Sequence, residues 1–187
     1  MSEIKRHEKL LKSDKTALLV IDIQERILKV IRKNKLLIKD VLKLIQGIKV
    51  LGIPIYYTEQ YPKGLGETAK EIREELVGEP IQKLSFSCSG AGNLFEQLKE
   101  KNISQVIVCG IETHVCVQQT VLDLLANGFE VTVPANAVSS RTKIDYKTAL
   151  QRMEKHGAEV STVEAILFEL LNICTTQEFK DIARIIK

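Results

Sequence analysis

The sequence predicts an α/β fold in three layers, α/β/α, with a central six-stranded parallel sheet covered on both faces by helices. Three observations predict it. Apolar runs of strand length alternate with segments of helical period from residue 16 to the end. The strand-length runs are almost continuously apolar, as strands buried on both faces are, instead of alternating apolar with polar. The spacing between them suits βαβ units, whose crossovers are right-handed. No internal repeat, low-complexity tract or linker divides the chain, so residues 1–187 read as one domain, with 1–13 expected as a flexible lead.

Each element has its own signal. "TALLVIDI" (16–23) is a buried strand closing on an aspartate. Residues 34–51 place Leu37, Val41, Leu44, Ile45 and Ile48 on one helical face, and Gly52 ends the helix before the strand "IPIYYTEQ" (53–60). "YPKGLGETAKEIREEL" (61–76) opens as a Pro/Gly loop and becomes a charged helix. "EPIQKLSFS" (79–87) is a short third strand carrying Lys83, followed by a helix over 92–102 and a buried strand, "SQVIVCG" (104–110). A helix over 116–128 stops at Asn127-Gly128, and "FEVTVPAN" (129–136) is the fifth strand. A helix over 143–156, a sixth strand over 158–162 and helices over 163–173 and 177–186 complete the chain.

Composition excludes several function classes. With 44% hydrophobic and 27% charged residues, the chain is ordinary for a globular domain. At 187 residues it is long enough to bury roughly 70% of its unfolded surface, so neither a metal nor a disulfide is needed to hold it. The net charge of +3 is weak, and Lys and Glu are interspersed, which argues against a nucleic-acid surface. No apolar run approaches the roughly 18 residues of a membrane span. The charged start "MSEIKRHEKLLKSDK" is not a secretory signal, and Cys88, Cys109, Cys116 and Cys174 show no CxxC spacing. A cytoplasmic protein with reduced thiols is expected.

In open parallel sheets, ligands bind outside the carboxyl ends of the strands. That rule selects Asp22 at the end of the first strand, Lys83 at the third and Cys116 just beyond the fourth. Were a helix to begin at Cys116, its unpaired N–H groups and dipole would favour thiolate over thiol. Asp22 could then take the thiol proton and return it to a leaving amine. Each residue also has a plain structural reading: a buried cysteine packing a helix start, an aspartate capping a turn, a solvated lysine. Cys109, inside "VIVCG", fits burial alone, and Cys88 and Cys174 read as structural. Tyr56 reads as core, while "SSR" (139–141) suits a helix cap, with Arg141 pairing a carboxylate.

From about residue 14 to the end, the chain resembles the isochorismatase-like cysteine hydrolase superfamily. "LLVIDIQERI" (18–27), "QKLSFS" (82–87) and "GIETHVCVQQTVLDLLANGFEV" (110–131) carry the resemblance, and "TEQYPKGLGET" (58–68), "NAVSSRT" (136–142) and "FKDIARIIK" (179–187) point to its branch of isochorismatase domain-containing proteins. The resemblance implies the superfamily's Rossmann-like hydrolase fold. It implies Cys116 as nucleophile, Asp22 as base and Lys83 as charge stabiliser, with no cofactor. It further implies a non-proline cis peptide at Ile111–Glu112 and an oxyanion hole from the backbone N–H groups of Glu112 and Cys116. Gln24, Glu59, Gln60, Phe86 and Thr113 are expected to line the substrate cleft, and a homo-oligomer is expected. Nicotinamidases of this superfamily bind metal through histidines, but "TEQYPKGLGE" has none, so no metal site is expected. His114, in the loop before Cys116, is the one histidine near enough to approach the site.

Two readings of function follow. In the first, the protein cleaves a small amide or related C–N bond through an acyl-enzyme on Cys116. In the second, it is a binding or scaffold protein that retains a relic triad. A redox-sensing role for Cys116 finds no resolving cysteine in the spacing.

Overall fold

The structure, a computed structural model, describes residues 5–187. Its strands are β1 (Thr16–Ile21), β2 (Ile55–Gln60), β3 (Ile81–Lys83), β4 (Gln105–Ile111), β5 (Glu130–Pro134), β6 (Val138–Ser139) and β7 (Glu159–Ser161). Its helices are α1 (Glu25–Leu28), α2 (Asn34–Val50), α3 (Pro62–Leu65), α4 (Lys70–Arg73), α5 (Leu94–Glu100), α6 (Gln118–Ala126), α7 (Lys143–Lys155), α8 (Val163–Leu171) and α9 (Gln177–Ile186). All strand pairs are parallel, in the order β3-β2-β1-β4-β5-β7, with β6 as a short addition beside β4. The sheet therefore has seven strands. The seventh, β6, spans two residues, too few for any hydrophobic period to register.

Every residue of β1 and β4 is buried, as their apolar runs require. Alternation sorts them between two cores. Leu18 and Val20 of β1, with Ile107, Cys109 and Ile111 of β4, pack toward α2, α8 and α9. Ala17, Leu19 and Ile21, with Val106 and Val108, pack toward α5, α6 and α7. Cys109 is fully buried, as expected, and Tyr56 packs against the second core.

Of the expected flexible lead, residues 1–4 lie outside the described residues. Leu11, by contrast, is buried, and its N–H donates to Glu169, while Lys12 N–H donates to Gln105. The charged helix expected over 61–76 is two single turns, α3 and α4, separated at Gly66, whose φ of +82° is incompatible with helix. No helix among the described residues is long and apolar enough to cross a membrane.

The strand order reverses between β1 and β4. The chain leaves β1 for β2 and β3 on one side, then returns to β4 on the other. Such a switch point opens a crevice at the strands' carboxyl ends. Gly110 of β4 faces Ile21 of β1 there. Gly110 has φ +126°, and a Cβ built on it would lie 2.1 Å from the carbonyl oxygen of Ile21. That obstacle is backbone in the middle of the sheet, so it has nowhere to retreat.

Gly110→Ala should consequently destabilise the fold by about 3 kcal/mol or more, with clash and positive φ acting together. Urea unfolding followed by far-UV circular dichroism measures this. A loss below about 1 kcal/mol would mean that β1 and β4 can part at this point.

Candidate active site

Asp22 follows β1 directly. It adopts φ +50°, a left-handed turn that aspartate tolerates and that ends the strand. Its N–H donates to Thr58 O, and its own carbonyl accepts from Gln24 N–H. The carboxylate is buried and fully engaged. Oδ1 accepts from Thr58 Oγ1 at 2.7 Å, and Oδ2 lies 2.6 Å from Lys83 Nζ. Lys83, the last residue of β3, also donates through Nζ to the carbonyls of Ser85 (3.2 Å) and Phe86 (3.0 Å). Its side chain is 0% exposed and that of Asp22 is 3% exposed, so this is a truly desolvated ion pair. Two expected site residues thus meet across the end of β2.

Cys116 joins them, by a different route from the one expected. It does not begin α6. It sits inside a wider helical turn, Thr113–Val117, in which Gln118 N–H reaches back to Thr113 O, and α6 starts only afterwards. Turns of this i→i+5 type are rare and are frequently found at functional sites. The Ile111–Glu112 peptide that precedes the turn is cis. Cys116 Sγ lies 3.0 Å from Gln60 Oε1, to which the thiol donates.

The electrostatics correct a second expectation. The Cys116 thiol is pushed well above the ordinary cysteine value, first by burial, then by the Asp22 carboxylate, which acts both as a nearby charge and as a hydrogen-bond partner; Lys83 opposes the shift. At rest the group is a thiol, because desolvation and a carboxylate outweigh one ammonium that is already paired. Burial also raises Cys88 to about 11 and pushes Cys109 up. Cys88 lies under the site, its Sγ 3.9 Å from Thr58 Oγ1, and its N–H donates to Thr120 Oγ1, which in turn donates to Cys116 O.

The cleft above these groups has a volume of about 250 Å³ and is lined by Asp22, Gln60 and Cys116 with the apolar side chains of Ile27, Leu65 and Phe86, among others. Gln60 and Phe86 are therefore where expected. Gln24, Glu59 and Thr113 are not. Gln24 is fully buried, its amide spent on Gln60 N–H, Gln60 O and Gly66 O. Glu59 accepts from both the N–H and the hydroxyl of Thr68. Both side chains staple the 60–68 loop, and neither lines the cleft. Thr113 is 0% exposed, facing the interior beneath the turn. Glu112 turns its carboxylate to the N–H and Nε of Arg141, the pairing expected of that arginine. The cap of α7 is Thr142, one residue past "SSR". His114 turns away from the cleft, with Nδ1 3.1 Å from Ser140 Oγ. Among the described residues, no three His, Cys, Asp or Glu side chains gather as a metal site.

Tyr61, which follows the second strand, lines the cleft as residues there are expected to, but sequence reasoning missed Thr58, which orients Asp22, and the apolar walls from Ile27, Leu65 and Val115. Their one signal is position: each lies within a few residues of a strand's carboxyl end.

Known proteins share this sequence pattern and fold. An isochorismatase domain model matches residues 16–165. Isochorismatase domain-containing protein 1 of Salmo salar is 41% identical over 176 residues, covering 92% of this chain. The chain spans 61% of that relative's length. The solved MAR1 ribonuclease of Caenorhabditis elegans is 37% identical with a TM-score of 0.88, covering 94% of this chain and 91% of that one. The YcaC protein of Escherichia coli, described as an octameric hydrolase of unknown specificity, shares the fold with a TM-score of 0.89 at 23% identity, covering 97% and 91%.

The buried thiols have a consequence for stability. Their folded pKa values lie above those in the unfolded chain, so the folded state holds protons that the unfolded state releases. Stability should be complete below the ordinary thiol value of about 8.5 and fall as pH rises from there toward 11 and beyond, by up to about 1.4 kcal/mol per pH unit for each such thiol. Denaturant midpoints between pH 8 and 10.5 measure the decline, and Cys109→Ala should make it shallower. A flat profile would mean that these thiols are not desolvated.

Proposed function

The chain belongs to the isochorismatase family, and we propose that it is a cofactor-independent cysteine hydrolase that cleaves a small amide or related C–N bond. One observation carries the reading: Cys116 and Asp22 line one cleft, and the buried Lys83 ammonium is paired with Asp22 behind it.

The chemistry follows from the charges. With substrate bound, Asp22 takes the Cys116 proton as the sulfur attacks the carbonyl carbon. Protonation removes the carboxylate charge that held the thiol neutral, while the Lys83 ammonium remains and favours the thiolate. The proton transfer thus removes its own main opposition. The oxyanion of the tetrahedral intermediate is received by the backbone N–H groups of Glu112 and Cys116. Asp22 then gives its proton to the nitrogen, the C–N bond breaks, and an acyl thioester is left on Cys116. Water, deprotonated by Asp22, attacks the thioester; the acid departs, and the proton returns to sulfur. The apolar walls exclude bulk water and limit the substrate to a small molecule. The exposed Tyr61 and Phe86 at the cleft suit a homo-oligomer in which a second copy covers the rim.

A second reading, a binding protein that retains the triad, draws on the raised thiol of Cys116. Turnover of small primary amides and N-carbamoyl compounds separates the two. Cys116→Ala should remove turnover by about 10⁴-fold, and Asp22→Asn should do nearly the same, because base and nucleophile act as a unit. Intact-mass detection of an acyl group on Cys116 would identify the intermediate. Turnover that survives Cys116→Ala defeats the mechanism; a wild-type protein that binds but never turns over these compounds supports the second reading.

A further inference from the structure

A second cavity lies apart from the cleft of Cys116 and is larger than it. It lies on the same carboxyl side of the sheet, between the starts of α2 and α7, and has a volume of about 380 Å³. We infer that it is a second ligand site, one that takes a small phosphorylated molecule with an apolar body.

The charge around it is one-sided. Arg32, Lys33, Lys143 and Lys147 line it, against a single carboxylate, Asp40. Among the described residues none of these four cations has an ion-pair partner, so their charge at the cavity is left uncompensated. A cluster of four like charges around a concave surface costs self-repulsion, and an anion removes that cost. The start of α2 adds to the field. Lys33 precedes it in a left-handed conformation, and no side chain caps the helix, so the first N–H groups of a 17-residue helix lack a side-chain acceptor beside the cavity.

The rest of the wall sets the kind of anion. Leu36, Leu37 and Val138 supply apolar surface, and the Tyr146 ring is held in place by its hydroxyl, which donates to Ala135 O at 2.6 Å. A bare inorganic ion would leave that surface unused. A volume of this size is typical of small-molecule pockets, and the cavity is bounded by two helix starts, which suits a compact ligand over an extended polymer. Phosphate is favoured over a single carboxylate because its two charges and three oxygens can engage several of the four cations at once.

The cavity is distinct from the catalytic cleft but touches its support. Ser140 lines it and hydrogen-bonds His114 of the turn that carries Cys116, and Ser139 pairs through β6 with Ile111. An occupant would therefore press on the far side of the same turn.

Calorimetric titration with adenosine 5′-monophosphate, inorganic phosphate and adenosine, at low salt and again at ~0.3 M salt, tests the inference. The monophosphate should bind tighter than inorganic phosphate, adenosine should bind least, and affinity should fall with added salt. Arg32→Glu with Lys143→Glu should weaken the monophosphate by about tenfold or more. Both residues are exposed, and Lys143 opens α7, where a carboxylate suits the helix dipole, so the variant should fold. Should it not, Lys143→Gln with Lys147→Gln serves, with a smaller loss expected. Cys116→Ala should bind as the parent does. No binding by any probe, adenosine matching its monophosphate, binding indifferent to charge reversal, or crystal density for the monophosphate anywhere but between α2 and α7 would each overturn the inference.

Discussion

The buried contact between Asp22 and Lys83 is the constraint around which the site is arranged. Removing two charges from water costs several kcal/mol for each, and the attraction between them offsets this only where every remaining lone pair and proton is engaged. Here they are: Thr58 satisfies the other carboxylate oxygen, and two loop carbonyls take further ammonium protons. The pair therefore ties the ends of β1 and β3 together through β2. It also folds residues 83–87 back over the strand ends, which brings Phe86 to the cleft. A hydrophobic pair of similar volume would hold the strands as well, or better. What it could not do is present a carboxylate to a sulfur.

Much of this architecture is legible in the sequence, because burial on both faces writes itself into long apolar runs. β1 and β4 are unmistakable for that reason, and α2 shows its buried face in the spacing of Leu37, Val41, Leu44 and Ile48. Short elements escape: two residues of β6, or one turn of α1, contain no period. The meeting of Asp22, Lys83 and Cys116 is reachable because polar residues at strand ends stand out from their apolar surroundings. The local geometry of Cys116 was not. A wider turn and an ordinary helix start carry nearly the same pattern of residues, and only the backbone hydrogen bonds separate them. The thiol's protonation was likewise hidden, since it depends on how deeply three distant segments bury one sulfur.

Gln24 and Glu59 show a further limit. Polar residues near a strand end invite assignment to a ligand, but a buried amide or carboxylate must first answer the backbone around it. Both engage the loop that follows β2. The sequence offers no direct signal of that competition, because the partners are main-chain groups that any residue could supply. Thr113 makes the complementary point: it neighbours reactive residues in the chain yet faces inward.

The staple made by Gln24 bears on how selectivity could change over time. One amide holds the wall of the cleft at Gln60 and Gly66 through main-chain groups alone, so the position of that wall does not depend on the side chains it displays. Tyr61 and Leu65 hang from a frame that survives their replacement. Exchanging those two side chains would accordingly reshape the surface of the cleft while Asp22, Lys83 and Cys116 keep their places.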